Sequence, residues 1–216
     1  MIYITADSAL TIEDIDENRV RDIFTNEGMD ISDTFVGISL RDVSILSKYV
    51  HWHEQDKFNE TIANIADYLI ERYGVKPVFI PMQYPEDLNI IRNVIIKMKN
   101  PGHILKNKYS VPEMFGIIKK LDLLIGMRLH SLIYATSMGI PVIGLEYEPK
   151  VKAFLQSVNQ VSAGDIIDLE YESFKSLLDD VWSKREEIKE NVGVITSKLK
   201  VKALENDEIA FNLITQ

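Results

Sequence analysis

The sequence predicts an α/β fold, in which a Rossmann-like parallel sheet is flanked by helices. Short apolar runs alternate along the chain with longer segments of helical spacing, a pattern typical of a parallel sheet covered on both faces. The 216 residues, 46% of them hydrophobic, suffice for one domain of good size or a small pair. Because the strands of a parallel sheet run in the same direction, their carboxyl ends are expected to share one edge of the sheet.

Apolar, partly β-branched runs predict the strands. Residues 35–40 (FVGISL) are the first, and residues 77–81, 103–105, 121–125 and 141–145 follow. Residues 1–7 read as a short strand that runs into a loop, as in the middle of a fold. We therefore expect the chain to be a piece of a longer protein.

Apolar residues at positions i, i+3 and i+4 predict the helices between these strands. The segment 55–73 is the clearest example, with Phe58, Ile62 and Leu69 on one side and Gly74 as its stop. Further helices are predicted at 86–98, 111–120, 129–138, 149–157, 172–188 and about 190–213.

Composition narrows the function classes. A net charge of −9 argues against general nucleic-acid binding, which needs a positive face. With no cysteine and four histidines, no metal centre and no cofactor are expected. We expect no membrane span and no secretion, because no apolar run has the length or flanks of such a segment. Neither a Walker A pattern nor a G-x-G-x-x-G pattern occurs.

The segment 126–131 (GMRLHS) is the strongest functional signal, because it lies between a predicted strand and a predicted helix. Ligands bind at the carboxyl ends of strands in open α/β sheets, and helix N-termini favour anions. We predict that Arg128 holds an anionic group and that His130 transfers a proton, with Leu129 and Ser131 in the same substrate site. Alternatively, Arg128 pairs with a surface carboxylate, His130 caps a buried polar group and Ser131 caps the helix.

Other candidates follow neighbouring strands. Arg41 is either a second arm of an anion clamp or a partner of Asp42. Gln83 and Asp87 follow the second strand, and Asp87 either binds a sugar hydroxyl or caps the next helix. Lys150 is a candidate phosphate ligand.

Three further patterns are weaker. Glu146, near Lys150, is either a base or part of a solvated turn. His51 and His53 flank Trp52; a loop anchored by Trp52 is favoured over a metal site, because no third ligand has a convincing spacing. Helical spacing assigns Tyr134, Met138 and Phe154 to the core.

With these residues in place, the chain resembles the polysaccharide pyruvyl transferase family. Residues 121–154 (LDLLIGMRLHSLIYATSMGIPVIGLEYEPKVKAF) carry the match, supported by residues 36–42 (VGISLRD) and 78–87 (VFIPMQYPED). The resemblance implies one half of a GT-B-like architecture, in which two Rossmann-like domains face a cleft. Residues 1–34 are then an N-terminal remnant or linker, and residues 35–216 are a Rossmann-like, donor-binding C-terminal domain with terminal helices.

The resemblance also implies an activity. Members move a pyruvyl group from phosphoenolpyruvate onto two hydroxyls of a sugar, and Arg41, Arg128 and His130 match family positions associated with donor binding and catalysis. The implied acceptor is a glycan or lipid-linked saccharide of the cell envelope, and the implied compartment is the cytoplasm. Two alternatives stay open: a GT-B-type glycosyltransferase or sugar-nucleotide enzyme, and a non-catalytic interaction domain that uses the helical surface of residues 172–216.

Overall fold

A parallel β-sheet lies at the centre of the computed structural model, which describes residues 3–12, 15–42 and 52–215. In these residues the six strands are β1 (Phe35–Ser39), β2 (Lys76–Phe79), β3 (His103–Ile104), β4 (Leu123–Gly126), β5 (Val142–Glu146) and β6 (Val161–Asp165). They lie in the order β3-β2-β1-β4-β5-β6, and neighbouring strands are parallel. This is the doubly wound order, in which the direction of winding reverses between β1 and β4.

Helices cover both faces of the sheet. The described residues form a short 3-10 helix (Ser8–Thr11) and the helices α1 (Glu17–Glu27), α2 (Trp52–Tyr73), α3 (Leu88–Lys97), α4 (Val111–Ile118), α5 (Leu129–Ser137), α6 (Pro149–Ser157), α7 (Tyr171–Ser183) and α8 (Arg185–Ile214). Among the same residues, none of the helices combines the length and apolarity that crossing a membrane requires.

Two apolar cores result, one on each face. Successive strand side chains point to opposite faces, so Leu123 and Ile125 of β4 enter one core while Leu124 enters the other. The first core joins the sheet to α2, α3 and α7, and the second joins it to α1, α4, α5, α6 and part of α8. The predicted Rossmann-like parallel sheet is therefore confirmed.

The predicted elements agree closely with the observed ones where the apolar signal is strong. All five strands predicted from residue 35 onward are present, with ends shifted by at most two residues. Strand β6 was not predicted because it is an edge strand with a polar sequence (VSAGD) and exposed ends. The helix predicted at 172–188 is wrong in its extent, since the chain breaks at Lys184 between α7 and α8.

The strand predicted at the start of the chain is also wrong for residues 3–7, which pair with no strand of the described chain. Their polar groups bond to α8 instead. Thr5 Oγ1 donates to Asn206 Oδ1 at 2.5 Å, and Asn206 Nδ2 donates to the carbonyl of Ala6 at 2.9 Å. The side chain of Asn206 thus makes hydrogen bonds to this segment, as a neighbouring strand would do in a sheet.

Helix α1 lies in the segment predicted as a remnant or linker. Asp16 caps its first turn, and Gly28 ends it in the left-handed region at φ 76°. Val20, Ile23 and Phe24 are buried in the second core, so this segment packs with the sheet. The division of the chain at residue 34 stays a prediction.

A buried carboxylate fastens the end of α1 to the loop after β3. Glu27 is 1% exposed and accepts hydrogen bonds from Tyr109 Oη, the Lys106 backbone N–H and Asn107 Nδ2, and it contacts His103 Nε2. Burial raises the pKa of Glu27, but the hydrogen bonds outweigh burial and the net pKa is below its ordinary value. Burial lowers the pKa of His103, and burial with the Glu27 bond raises the pKa of Tyr109 to about 12.

We predict that Glu27→Gln lowers the free energy of unfolding at pH 7 by about 1–3 kcal/mol, because buried donors lose a charged acceptor. The lowered pKa means that the ionised form stabilises the fold above the unfolded pKa and that this contribution disappears as pH falls through the folded pKa. The difference from wild type, measured by urea unfolding, should therefore shrink below about pH 4. Glu172→Gln, at an exposed site, is the control; an equal effect would contradict the account.

Candidate active site

Arg128 follows β4 and is held by Asp87, which follows β2. Nε of Arg128 donates to Asp87 Oδ2 at 3.2 Å, and Nη2 donates to Oδ1 of the same carboxylate. The Asp87 side chain is fully buried, and that of Arg128 is 15% exposed. Since β1 lies between β2 and β4, this ion pair bridges the loops on both sides of the β1 end.

Asp87 therefore has a role that neither sequence-based interpretation included. It occupies the N-cap position of α3, but its side chain makes no capping hydrogen bond there. The carboxylate accepts instead from the Gln83 backbone N–H at 2.8 Å and from Arg128. The predicted capping role is wrong, and contact with a sugar hydroxyl is not favoured for a fully buried group.

Arg41 follows β1 and contacts residues that follow β5. Its Nη1 donates to Tyr147 Oη at 3.0 Å and to Glu148 Oε1 at 3.2 Å, and its guanidinium carbon lies 5.1 Å from the centre of the Tyr147 ring. Its Nε is buried without a hydrogen-bond partner. Each arginine is thus paired with a carboxylate from a strand two positions away in the sheet.

The predicted cationic residues and His130 meet at one cavity of about 330 Å³, beside the point where the strand order reverses. Six of the eight predicted site residues line it, namely Arg41, Gln83, Arg128, Leu129, His130 and Lys150. The volume is at the small end of ligand sites, which suits a compact ligand. Helix α5 begins at this wall, so its first backbone N–H groups, which have no intrahelical acceptor, add partial positive charge.

Ser131 does not reach the cavity. It is fully buried, and its hydroxyl donates to the Arg128 carbonyl at 2.7 Å within the first turn of α5. Its contact with substrate stays a prediction, which the burial and the internal hydrogen bond of this hydroxyl do not favour. The predicted capping role is also not the observed one, because Arg128 occupies the N-cap position.

Lys150 is half-exposed at the rim, and its ammonium lies 2.6 Å from Glu148 Oε2. That hydrogen bond raises the pKa of Lys150, so the side chain is a cation at neutral pH. Glu146, the candidate base, lies 3.6 Å from Lys152, and no contact places it at the cavity wall.

Three lining residues were not predicted: Met82, Tyr134 and Tyr147. Tyr134 was assigned to the core, and it is indeed 92% buried, yet its side chain also closes one side of the cavity. Its ring centre is 6.0 Å from that of His130, one helical turn away, and burial raises its pKa. The four-residue spacing from His130 is the signal that would have found it.

Of the paired histidines, His53 is not among the residues that line this cavity. His51 lies outside the described residues, and His53 is the second residue of α2. The predicted loop at Trp52 is wrong, because α2 begins at that residue.

Chemically, the cavity combines three cations with an exposed imidazole and two tyrosine side chains. Arginine forks and helix N–H groups bind planar or tetrahedral oxyanions. An imidazole beside them can give a proton to, or take one from, the bound group. The site is therefore suited to acid–base chemistry on a small polyanion.

Comparison with solved structures identifies the class of fold. The glycosyl transferase family 9 protein of Veillonella parvula DSM 2008 superposes with a TM-score of 0.58 at 18% identity, covering 83% of this chain and 55% of its own. Anabaena Alr3699/HepE in complex with UDP-glucose gives 0.60 at 13% identity, with 100% and 57% covered. MnaA of S. aureus with UDP gives 0.58 at 14%, with 99% and 54% covered. These likenesses show the Rossmann-like fold of GT-B enzymes, and the chain spans little more than half the length of those structures.

The family profile of polysaccharide pyruvyl transferase matches residues 1–149, more than half of the chain. The chain belongs to the polysaccharide pyruvyl transferase family. No curated protein sequence matches it significantly.

We predict that Asp87→Asn lowers the free energy of unfolding by about 3 kcal/mol, because it leaves the largely buried Arg128 guanidinium without its countercharge. Thermal and urea unfolding measure this effect. The control is Glu170→Gln, which removes one partner of the exposed Lys57–Glu170 pair and should cost less than about 1 kcal/mol. Equal losses in the two variants would show that the Arg128–Asp87 pair is no more important than a surface contact.

Proposed function

We propose that this chain supplies the donor site of a transferase that moves a pyruvyl group from phosphoenolpyruvate onto two hydroxyls of a cell-envelope saccharide. One observation carries the proposal: Arg41, Arg128 and His130 line a single cavity at the switch point of the sheet. Family membership supplies the reaction class. We place the reaction in the cytoplasm, where phosphoenolpyruvate is available, and assign it no cofactor.

The donor matches the charges of the cavity. Phosphoenolpyruvate carries a carboxylate and a phosphate on adjacent atoms of a three-carbon unit. In our proposal Arg41 and Arg128 hold these two groups, with the first amides of α5 and Lys150 adding to the field. Because Asp87 occupies the Nε and Nη2 edge of Arg128, the donor contacts Nη1.

The proposed mechanism begins with His130 as general acid. Its imidazolium gives a proton to the methylene carbon of the donor, and C2 becomes an oxocarbenium-like centre. A sugar hydroxyl adds to C2 and gives its proton to the His130 imidazole, which restores the imidazolium, and the C–O bond to phosphate then breaks. A second hydroxyl adds to the same carbon, closes the cyclic ketal and gives its proton to the departing phosphate, so the products are the pyruvylated sugar and hydrogen phosphate. The two arginines stabilise the charge that develops on the carboxylate and the leaving phosphate.

A nucleotide-sugar donor is the competing candidate. Two of the structures with this fold contain UDP or UDP-glucose, so the fold accommodates such ligands in those proteins. The small cavity volume favours the smaller donor for this chain.

We predict that phosphoenolpyruvate binds this chain, whereas UDP-glucose binds weakly or not at all. Arg128→Ala and Arg41→Ala should each weaken phosphoenolpyruvate binding by about tenfold or more, since each removes a charge-assisted pair. Isothermal titration calorimetry measures both. Arg72→Ala, in the last turn of α2, is the matched control and should leave affinity unchanged. Binding of the nucleotide alone would reject the pyruvyl donor.

We predict that His130→Gln reduces phosphate release from phosphoenolpyruvate, in the presence of a cell-wall glycan fraction, by about 100-fold or more. Donor affinity should change little, because the arginines are intact. His103→Gln is the control histidine, because His103 begins β3 whereas the cavity residues follow strand ends. Turnover retained in His130→Gln would remove this residue from the mechanism.

A further inference from the structure

A second cavity, of about 480 Å³, lies between α2 and α3 and is lined by amide side chains. Gln55 and Asn59 are four residues apart on α2, and Asn89 and Asn93 are four residues apart on α3. Side chains with this spacing share one helix face, so two amide pairs face the same space. We call these four residues and the space between them the amide cleft.

Asn59 contributes an unpaired hydrogen-bond acceptor to the amide cleft. The residue is only 4% exposed, and its Oδ1 is buried without a hydrogen-bond partner. Buried polar atoms in native proteins are nearly always paired, so an orphan in the wall of a cavity points to a missing partner. The χ2 torsion of asparagine is soft, and a small rotation turns this amide toward an incoming donor.

The amide cleft carries no formal net charge. Asp56 and Lys97 are its charged lining residues, and they form an ion pair of 2.8 Å between Oδ1 and Nζ across the two helices. The exposed side chain of Ile96 adds an apolar surface at the rim. The first cavity is different, because three of its lining side chains are cationic.

We propose that the amide cleft is a binding site for a neutral saccharide. Each carboxamide offers a donor and an acceptor, which matches a sugar hydroxyl that both donates and accepts. Neighbouring hydroxyls on a pyranose ring suit paired amides at helical spacing, and the C–H face of the ring suits Ile96. An anionic ligand finds no uncompensated cation here, and an apolar ligand leaves the amides without partners.

We call the first cavity, which Arg41, Arg128 and His130 line, the anion cavity. One short segment of the chain connects it to the amide cleft. Gln83 lines the anion cavity, Asp87 holds Arg128, and Asn89 lines the amide cleft two residues later. A saccharide in the amide cleft thus lies beside the loop that positions Arg128. The site is additional to the proposed donor site and does not depend on phosphoenolpyruvate being the donor.

Side-chain amide NMR signals of the whole 216-residue chain test this directly. The probes are the methyl glycosides of glucose, galactose and N-acetylglucosamine, titrated separately into labelled protein. At least one should shift the signals of Gln55, Asn59, Asn89 and Asn93 in a saturable way, while the backbone signals of Leu129 and His130 stay in place. No saturable shift at the amide cleft with any of the three, or shifts at the anion cavity instead, overturns the inference.

Two variants separate binding from structure. Asn59→Leu removes the unpartnered Oδ1 at similar volume, and the chain should fold with nearly unchanged thermal stability while its saccharide affinity falls by about tenfold. Asn93→Ala, at a less buried position, should weaken binding without unfolding the chain. Undiminished affinity in both variants would mean that Asn59 is only an unfavourable core residue.

Phosphoenolpyruvate titrations distinguish this inference from the proposed function. Asn59→Leu should bind phosphoenolpyruvate like the wild type, and Arg41→Ala, whose partners Tyr147 and Glu148 lie outside the 83–89 segment, should bind the saccharide like the wild type. Loss of saccharide binding in Arg41→Ala would assign the saccharide to the anion cavity and overturn the amide cleft. Absence of phosphoenolpyruvate binding with intact saccharide binding would reject the donor and leave the amide cleft supported.

Discussion

The ion pair between Asp87 and Arg128 is the constraint on which the site depends. A buried carboxylate after β2 fixes the guanidinium after β4, and the pair passes over the end of β1, where Arg41 emerges. Arg41 is held in turn by Glu148 after β5. The carboxylates keep two like charges in fixed positions at one cavity, because each partly compensates the charge beside it. Bound oxyanions then meet preorganised donors rather than flexible surface side chains.

Much of the fold could be predicted from the sequence because strands buried on both faces leave a plain signal. The runs that became β1, β4 and β5 are apolar almost throughout, as parallel strands require. A strand that is only partly buried contains more polar residues, so the apolar run that would predict it is weaker. Strand β6 carries serine, glycine and aspartate at the sheet edge, and it was missed. The sequence of residues 3–7 is typical of a strand. In the structure, however, Asn206 on α8 donates a hydrogen bond to the carbonyl of Ala6, and no strand pairs with this segment among the described residues.

The candidate site was predictable as a set of positions but not as a set of contacts. The rule that strand ends share an edge brought Arg41, Arg128 and His130 together, and the structure places all three at one cavity. The sequence does not show which carboxylate pairs with Arg128, because Asp87 is 41 residues away and meets it only through the strand order. From its position in the sequence, Ser131 was expected to contact the substrate. In the structure its hydroxyl donates to the Arg128 carbonyl within the first turn of α5.

A crystal structure of this chain with phosphoenolpyruvate tests the central claim most directly. Our account predicts the carboxylate and phosphate on the guanidinium groups of Arg41 and Arg128, beside the first amides of α5, with the methylene carbon facing the His130 ring. The two hydrogen bonds from Arg128 to the Asp87 carboxylate should be the same with and without the ligand. Donor bound at another surface, or bound in this cavity with its methylene carbon turned away from His130, would contradict the account.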